Sequence, residues 1–210
     1  MLREDNGMKK KKNSDVTFTK MKSPILFVLA GPNGAGKTTS AKVLLKEVVE
    51  SHTFVNADII AEKISPGNPA AANIRAARMM LKKINQLRKK KKTFAIETTL
   101  TTISYAKLFK EMQEEGYTIY MIYVFLNAVE LSIKRVAERV ANGGHNIPEE
   151  TIRRRFPKGL KNLKEIFIPI SDIWKVYDNS NGEFDLIAEG DKVFGRKIYK
   201  SEICKTIFLR

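Results

Sequence analysis

One glycine-rich stretch constrains this chain more than any other feature. The residues Gly31–Thr38 read GPNGAGKT and match the pattern G-x-x-x-x-G-K-[ST]. The apolar run Ile25–Ala30 precedes the match and has the composition of a buried strand, whereas Thr38–Val49 carries apolar residues at helical spacing. A strand, a glycine-rich turn and a helix in this order predict a phosphate-binding loop.

The chemistry of phosphate binding explains these residue types. Glycines lack a Cβ, so consecutive backbone N–H groups can converge on phosphate oxygens, and the helix N-terminus adds a partial positive charge. The ammonium of Lys37 reaches the transferred phosphate, and the hydroxyl of Thr38 is a ligand for Mg²⁺. We therefore predict ATP and Mg²⁺ as cofactors. The expected nucleotide-binding residues are Gly31, Pro32, Asn33, Gly34, Ala35, Gly36, Lys37, Thr38 and Thr39.

Strand patterns and helix patterns alternate along the rest of the chain. The further predicted strands are Thr53–Asn56, Thr93–Ile96, Thr118–Leu126 and Lys175–Tyr177, with Phe184–Ala188 as a sixth candidate. The predicted helices are Ala70–Leu87, Tyr105–Glu115 and Glu130–Ala141, and another opens at Pro148. This alternation predicts the α/β class and a P-loop NTPase fold, with a parallel sheet of about five to six strands between two helical layers.

Composition and charge bound the domain organisation. We expect a disordered basic leader over residues 1–22, a kinase domain over 23–190, and over 191–210 a C-terminal tail or a final element packed on the domain. No apolar run reaches membrane-spanning length and no signal-peptide core follows the N-terminal lysines, so we expect a cytoplasmic protein. The single cysteine, Cys204, excludes a disulfide framework.

The net charge of +15 has two interpretations. The runs Lys9–Lys12 and Lys89–Lys92 could form a patch for nucleic acid or a membrane surface. Neither run is interleaved with aromatic residues or glycines, which favours solvated charge instead. We therefore expect neither nucleic acid nor a membrane as a partner.

A carboxylate follows the second predicted strand. Asp58 lies in the segment VNAD, and the carboxyl ends of strands converge on the ligand crevice in a doubly wound sheet. At that edge Asp58 could accept the proton of an attacking hydroxyl or hold Mg²⁺ through water. The alternative is structural, because Asp58 could cap a helix that begins at Ile59.

Polar residues follow the third predicted strand in the same way. Glu97, Thr98 and Thr99 stand where many ATPases carry a magnesium-binding aspartate. A glutamate followed by two hydroxyl residues is typical of a substrate clamp. Contact with Mg²⁺ is an alternative, and a purely structural explanation is a Glu–Thr pair that caps the turn between strand and helix.

Five arginines lie on two predicted helices that flank the sequence ANGGH. They are Arg135, Arg139, Arg153, Arg154 and Arg155. Arginines stabilise the charge that spreads over a transferring phosphoryl group, so we predict a helical lid over about residues 130–160. A solvated pair of basic helices is the alternative. We interpret His145 as a turn or packing residue, because no second histidine or cysteine lies nearby.

The clusters together resemble the zeta toxin superfamily of P-loop kinases, in the branch with a Gly-Gly-His lid. The motifs are GPNGAGKTT, VNADIIA, AIETTL, RVAERVANGGHNIPEETIRRRF and VYDNS, between Pro24 and Asn179. Zeta toxins phosphorylate the sugar 3′-hydroxyl of UDP-N-acetylglucosamine with ATP and Mg²⁺. The resemblance implies that Asp58 is the general base and that Glu97 with Thr98 or Thr99 binds the sugar nucleotide.

The resemblance also implies a role for the lid and a partner. Arg139 and one arginine of the run 153–155, with Arg154 and Arg155 preferred, would stabilise the transferring phosphate, together with Lys37 as a catalytic residue. An inhibitor would be a separate antitoxin protein, because the chain carries no antitoxin-like helical segment.

We therefore predict an ATP-dependent small-molecule kinase, a phosphotransferase with an alcohol group as acceptor. The expected acceptor is a sugar nucleotide such as UDP-N-acetylglucosamine. The alternatives are a P-loop NTPase module that acts on or binds nucleic acid, and a kinase of another polyol.

Overall fold

A seven-stranded sheet forms the centre of the structure. The computed structural model describes residues 23–44, 50, 53–66 and 68–208, so the predicted leader lies outside the described residues. The strands are β1 (Ile25–Ala30), β2 (Thr53–Val55), β3 (Phe94–Thr98), β4 (Thr118–Phe125), β5 (Ile173–Asp178), β6 (Asp185–Asp191) and β7 (Gly195–Ile198). Their spatial order is β2-β3-β1-β4-β5-β6-β7.

Helices connect the parallel strands. They are α1 (Lys37–Leu44), α2 (Ala57–Ile64), α3 (Asn73–Lys89), α4 (Ser104–Glu114), α5 (Val129–Ala141), α6 (Glu149–Asn162) and, at the C-terminal end, α7 (Ser201–Phe208). Helix α1 is described only to Leu44, and the rest of the predicted helix lies among residues that the structure does not describe. Helix α6 continues through a π-helical turn, Leu163–Phe167.

Strand β1 is buried along its whole length because both faces of the sheet are covered. On one face Leu26 and Val28 belong to a core cluster that includes Met80 of α3. On the other face Phe27 lies in a second cluster with Ala41 of α1. The predicted α/β P-loop fold is therefore confirmed. Strand β1 lies inside the sheet between β3 and β4, and its continuous apolar sequence is expected for a strand that has no solvent-facing side.

The two last strands differ from the predicted parallel sheet. The sixth strand forms, but β6 pairs antiparallel with β5, and β7, which was not predicted, pairs antiparallel with β6. Only residues 179–184 separate β5 from β6, and a parallel crossover needs about a dozen residues or more. At the next turn, the carboxylate of Asp191 accepts the N–H groups of Val193 and Phe194, which folds the chain back into β7.

The parallel strands bring four polar segments to one edge of the sheet. The phosphate loop follows β1, Asn56–Asp58 follows β2, Thr99–Thr102 follows β3, and Asn179–Ser180 follows β5. The lysine run at positions 89–92 precedes β3 and lies at the opposite end of that strand. Within the described part of the chain, none of the helices combines the length and apolar character of a membrane span.

Candidate active site

Lys37 is held inside the loop between β1 and α1. Its ammonium donates a hydrogen bond to the carbonyl of Pro32 at 2.9 Å, and the residue is only 7% exposed. Burial lowers the pKa of Lys37 below its ordinary 10.5, although the carboxylates of Glu97 and Asp58 oppose this shift. The loop thus positions a desolvated cation at the start of α1, where phosphate groups bind in P-loop proteins.

Residues far away in the sequence fix the shape of this loop. Gly36 has φ +82°, and a Cβ on it would lie 2.9 Å from the amide nitrogen of Asn179, so a side chain does not fit. Asn179 donates from that nitrogen to the carbonyl of Ala35 at 2.8 Å, and the hydroxyl of Ser132 on α5 donates to the carbonyl of Asn33. Asn179 and Ser132 were not predicted as site residues from the sequence, although the motif VYDNS contains Asn179.

The Glu97 carboxylate lies beside the hydroxyl of Thr38. Thr38 donates to Oε2 of Glu97 at 2.9 Å, and the side-chain amide of Asn56 donates to the same oxygen at 2.8 Å. The other oxygen, Oε1, lies 3.8 Å from the Lys37 ammonium. A carboxylate and a hydroxyl at the end of the phosphate loop are the oxygen ligands that Mg²⁺ takes in nucleotide sites, so these residues fit the predicted metal.

Asn56, and not Asp58, caps helix α2. The side-chain oxygen of Asn56 accepts the backbone N–H groups of Asp58 at 2.7 Å and Ile59 at 3.3 Å. The structural alternative for Asp58 is therefore wrong, because Asp58 lies in the first turn of α2 and the residue two positions earlier provides the cap. Its exposed carboxylate lines the same cleft as Lys37.

That cleft has a volume of about 480 Å³, and half of the residues that line it carry hydroxyl or amide side chains. Thr98 and Thr99 lie on its wall, but both also make local bonds. Thr98 accepts the N–H of Leu100 at 3.1 Å, and the hydroxyls of Thr99 and Thr101 are 3.0 Å apart. The turn contains a positive φ of 57° at Leu100, whose carbonyl accepts a bond from Asn162 of α6 at 2.7 Å.

Helices α5 and α6 form the predicted lid region, with a small core of Val136, Ile147 and Ile152 between them. Helix α5 ends in a turn in which Gly144 N–H bonds to the carbonyl of Arg139. A Cβ on Gly144 would lie 2.6 Å from Cγ of Arg139, so only glycine leaves room for that side chain.

The lid arginines point in different directions. The guanidinium of Arg139 donates to the carbonyl of His145 at 2.6 Å, and Arg155 lines the cleft together with His145. The positive charges of Arg139 and Arg155 both contribute to lowering the pKa of Lys37, so both lie within electrostatic range of the loop. Arg153 is turned outward into ion pairs with Glu130 and Glu149.

Arg154 is exposed and does not line the cleft. Successive residues of a helix differ by about 100° in direction, so neighbouring arginines cannot all face the same point. Of the run 153–155, the structure brings only Arg155 to the cleft.

The family model described as "Zeta toxin" matches residues 9–186. The chain belongs to the zeta toxin family. A protein of Haemophilus influenzae described as "Uncharacterized protein" is 32% identical over 126 residues, which cover 60% of this chain and 88% of the relative. This membership confirms the resemblance to the zeta toxin family of P-loop kinases.

Solved structures share the fold of this zeta toxin family member. A structure of AvrRxo1-ORF1 with AvrRxo1-ORF2 and ATP superposes with a TM-score of 0.74 at 16% identity, over 88% of this chain and 63% of that one. The chromosomal toxin–antitoxin system PezAT of Streptococcus pneumoniae superposes with a TM-score of 0.60 at 18% identity, over 90% of this chain and 80% of that one. The chain therefore spans less than two thirds of the AvrRxo1 chain.

Proposed function

We propose that this zeta toxin family member transfers the γ-phosphate of ATP to a hydroxyl group of a sugar nucleotide such as UDP-N-acetylglucosamine. One observation carries the proposal. A carboxylate that has no capping duty, Asp58, opens into the same cleft as the buried ammonium of Lys37. A hydrolase needs only water beside the γ-phosphate, whereas this cleft of about 480 Å³ extends from Lys37 to the threonines that follow β3, which supports a larger acceptor.

Asp58 is the proton acceptor in this reaction. The acceptor hydroxyl gives its proton to the Asp58 carboxylate while its oxygen bonds to the γ-phosphorus, and the bond to the bridging oxygen of ADP breaks. Lys37 binds the phosphate that carries the developing charge. Contacts to a transferring phosphoryl group act mainly by position and electrostatics, which fits a lysine already held by the carbonyl of Pro32.

In this proposal Glu97 is a ligand of the metal and does not bind the substrate. Its carboxylate shares a hydrogen bond with Thr38 and is oriented by Asn56, so Thr38 and Glu97 would hold Mg²⁺, directly or through water. Mg²⁺ supplies charge neutralisation at the phosphates when it is bound. Thr98 and Thr99 remain for the acceptor, because both lie on the wall of the cleft.

Arg155 is the lid residue that stabilises the transition state. It reaches the cleft from α6, while Arg139 reaches the loop 142–148 from α5 and holds it through the carbonyl of His145. Closing of the lid would bring both guanidinium groups to the γ-phosphate, where planar donors match the geometry of a phosphoryl group.

The hydroxyl-rich wall of the cleft supports a sugar as the acceptor. Thr99, Thr101, Thr102 and Thr151 line the cleft, and Tyr105 lines it as well. Hydroxyl side chains both donate and accept hydrogen bonds, which suits the several hydroxyls of a sugar. The side chain of Tyr105 offers a flat apolar surface on which a nucleobase can stack.

The experiment is transfer from ATP labelled in the γ-phosphate to UDP-N-acetylglucosamine, read by mass spectrometry of the nucleotide sugar. The proposal expects a product heavier by one phosphate, and its formation should stop in the Lys37→Ala protein. A metabolite pool incubated under the same conditions serves as the second arm. A labelled polyol of another class in that pool would support the kinase activity and would show that the sugar nucleotide is not the acceptor.

A separate antitoxin protein is the partner that we propose. The support is that PezAT is a toxin–antitoxin system and shares the fold of this chain. The test is to purify the chain from its own host and to measure transfer activity before and after any co-purified gene product is removed. An activity that is the same with and without that product would argue against inhibition.

A further inference from the structure

Helix α3 carries a second face that the proposed reaction does not use. Its inner face buries Met80, Ile84 and Leu87 in the core cluster of the sheet, and Ala76 against Ala61 of α2. On the opposite side Ile74 is 73% exposed and Leu81 is 44% exposed. Exposed aliphatic side chains seven residues apart lie above one another on a helix, so they form a stripe along the outside of α3.

The outer stripe has the spacing of a heptad seam. Ile74, Arg78, Leu81 and Asn85 follow one another at steps of four, three and four residues, and all four are exposed. In heptad terms, Ile74 and Leu81 take the d positions, and Arg78 and Asn85 take the a positions. The d positions supply the aliphatic contacts of such a seam, whereas polar residues at a positions weaken a helix pair and restrict it to one register.

A row of positive charge runs beside this seam. Arg75, Lys82 and Lys89 recur every seven residues, at the e positions that flank a coiled-coil interface. Helix α3 contains no acidic residue in its 17 residues. Among the residues that the structure describes, these three cations enter no ion pair, whereas Arg88 on the side of the helix is bound by Glu111 and Glu115.

We infer that the outer face of α3 is a docking surface for an acidic amphipathic helix of a different protein. The aliphatic stripe supplies the buried seam, and the row of Arg75, Lys82 and Lys89 selects glutamate or aspartate at the facing positions. In an antiparallel pair with a second copy of this chain, the cationic row would face itself, which costs stability and disfavours that form of self-pairing.

The chemistry of the surface also distinguishes a protein helix from nucleic acid. Ile74 and Leu81 lie along the centre of the contact, where a phosphate backbone gains nothing from aliphatic carbon. The outward-facing positions of α3 carry no aromatic residue on which a base could stack. Aliphatic residues at the d positions and charged residues at the e positions are instead features of contacts between helices.

The surface is separate from the acceptor cleft. Asn73, Ala77 and Met80 contribute to the cleft from the other sides of α3, whereas the cationic row points away from it. A helix docked there would lie on the outer wall of the cleft and would leave the nucleotide site open. Binding can therefore be measured without any kinase assay, and its result does not depend on whether the proposed reaction is correct.

The test uses a synthetic helical peptide of about three heptads, with leucine at the a and d positions and glutamate at the positions that flank them. The peptide carries fluorescein, and its anisotropy is followed during titration with the full chain. We expect saturable binding that weakens as salt is added. The Lys82→Glu/Lys89→Glu protein should bind at least about tenfold more weakly, because two attractive pairs become repulsive.

Two controls make the test specific. The Lys107→Glu/Lys110→Glu protein carries the same charge change on exposed positions of α4 and should bind like the wild type. A peptide with lysine in place of glutamate should bind the Lys82→Glu/Lys89→Glu protein and not the wild type. The Leu81→Ser protein should also lose affinity, since the seam loses an aliphatic contact.

Three results would overturn the inference. Equal affinities of the two double variants would show that net charge alone attracts the peptide. Tight binding of a fluorescein-labelled oligothymidylate that disappears in the Lys82→Glu/Lys89→Glu protein, without peptide binding, would assign the face to nucleic acid. A dimer in analytical ultracentrifugation that the Leu81→Ser change dissociates would assign it to a second copy.

Discussion

The change Asp58→Asn separates chemistry from stability at one position. Asparagine keeps the size of the side chain but cannot accept the proton of the acceptor hydroxyl. A positioned proton acceptor contributes about 10² to 10⁴ in rate, so kcat should fall by that factor. ATP affinity should change little, because Lys37 and the backbone of the loop hold the phosphates.

The structure also sets the expected stability of this variant. The backbone N–H groups at the start of α2 are satisfied by Asn56, so Asp58 contributes only its charge in the first turn. A charge there is worth about 0.3 to 1 kcal/mol. For a domain of this size, 1 kcal/mol corresponds to a Tm change of about 2 to 4 °C, so Tm should fall by no more than about 4 °C.

Asn56→Ala is the matched comparison. It removes the cap, worth about 1 kcal/mol, and the hydrogen bond to the Glu97 carboxylate, worth about 1.5 to 3 kcal/mol. The expected loss is about 2.5 to 4 kcal/mol, or a Tm lower by roughly 5 to 16 °C. The assays are thermal unfolding and single-turnover transfer of labelled phosphate. Unchanged transfer by Asp58→Asn with a Tm loss as large as that of Asn56→Ala would refute the assigned roles.

Three further predictions concern the lid, the loop and the lysine run. Arg155→Ala should lower kcat and kcat/KM together by about 10² to 10³ with an ATP Kd changed less than about tenfold, whereas Arg154→Ala should be close to wild type. Steady-state kinetics and ATP titrations measure these values, and a loss of ATP binding in proportion to rate in both variants would contradict the prediction. Because burial lowers the pKa of Lys37 below its ordinary value of 10.5, the ammonium should lose its proton, and ATP affinity should begin to fall, at a pH below 10.5. Calorimetric ATP titrations at rising pH measure this, and an ATP Kd that stays constant up to pH 10.5 would contradict it. Neutralising the run Lys89–Lys92 should leave kcat/KM within a few-fold of the wild-type value, since the run lies at the end of β3 that is remote from the cleft. A large loss of kcat/KM would show that the run takes part in the reaction.

Local patterns in the sequence predicted the elements that depend on neighbouring residues. The pattern G-x-x-x-x-G-K-[ST] between a strand and a helix predicted the phosphate loop, and the alternation of apolar runs with helical periods predicted the five parallel strands. The motifs around Asp58, Glu97 and the Gly-Gly-His turn pointed to the zeta toxin family, which the family match confirmed. Each of these signals lies within a few residues of the feature that it predicts.

Only the tertiary structure decided which partner each side chain meets. Thr38 and Glu97 are 59 residues apart in the sequence, and Ala35 and Asn179 are 144 apart, yet each pair shares a hydrogen bond. No periodicity connects such positions, because the parallel strands between them set their distance. The direction of β6 was within reach of the sequence, since residues 179–184 are too few for a parallel crossover.

The sequence by itself thus determined the phosphate loop, the family and the set of polar residues at the carboxyl edge of the sheet. The tertiary structure decided that Asn56 caps α2 and leaves Asp58 open to the cleft. It also decided that Arg155 reaches the cleft while Arg153 is held by two glutamates outside it. The physical reason is that a motif fixes which residue types are present, whereas helix rotation and strand register fix where each side chain points.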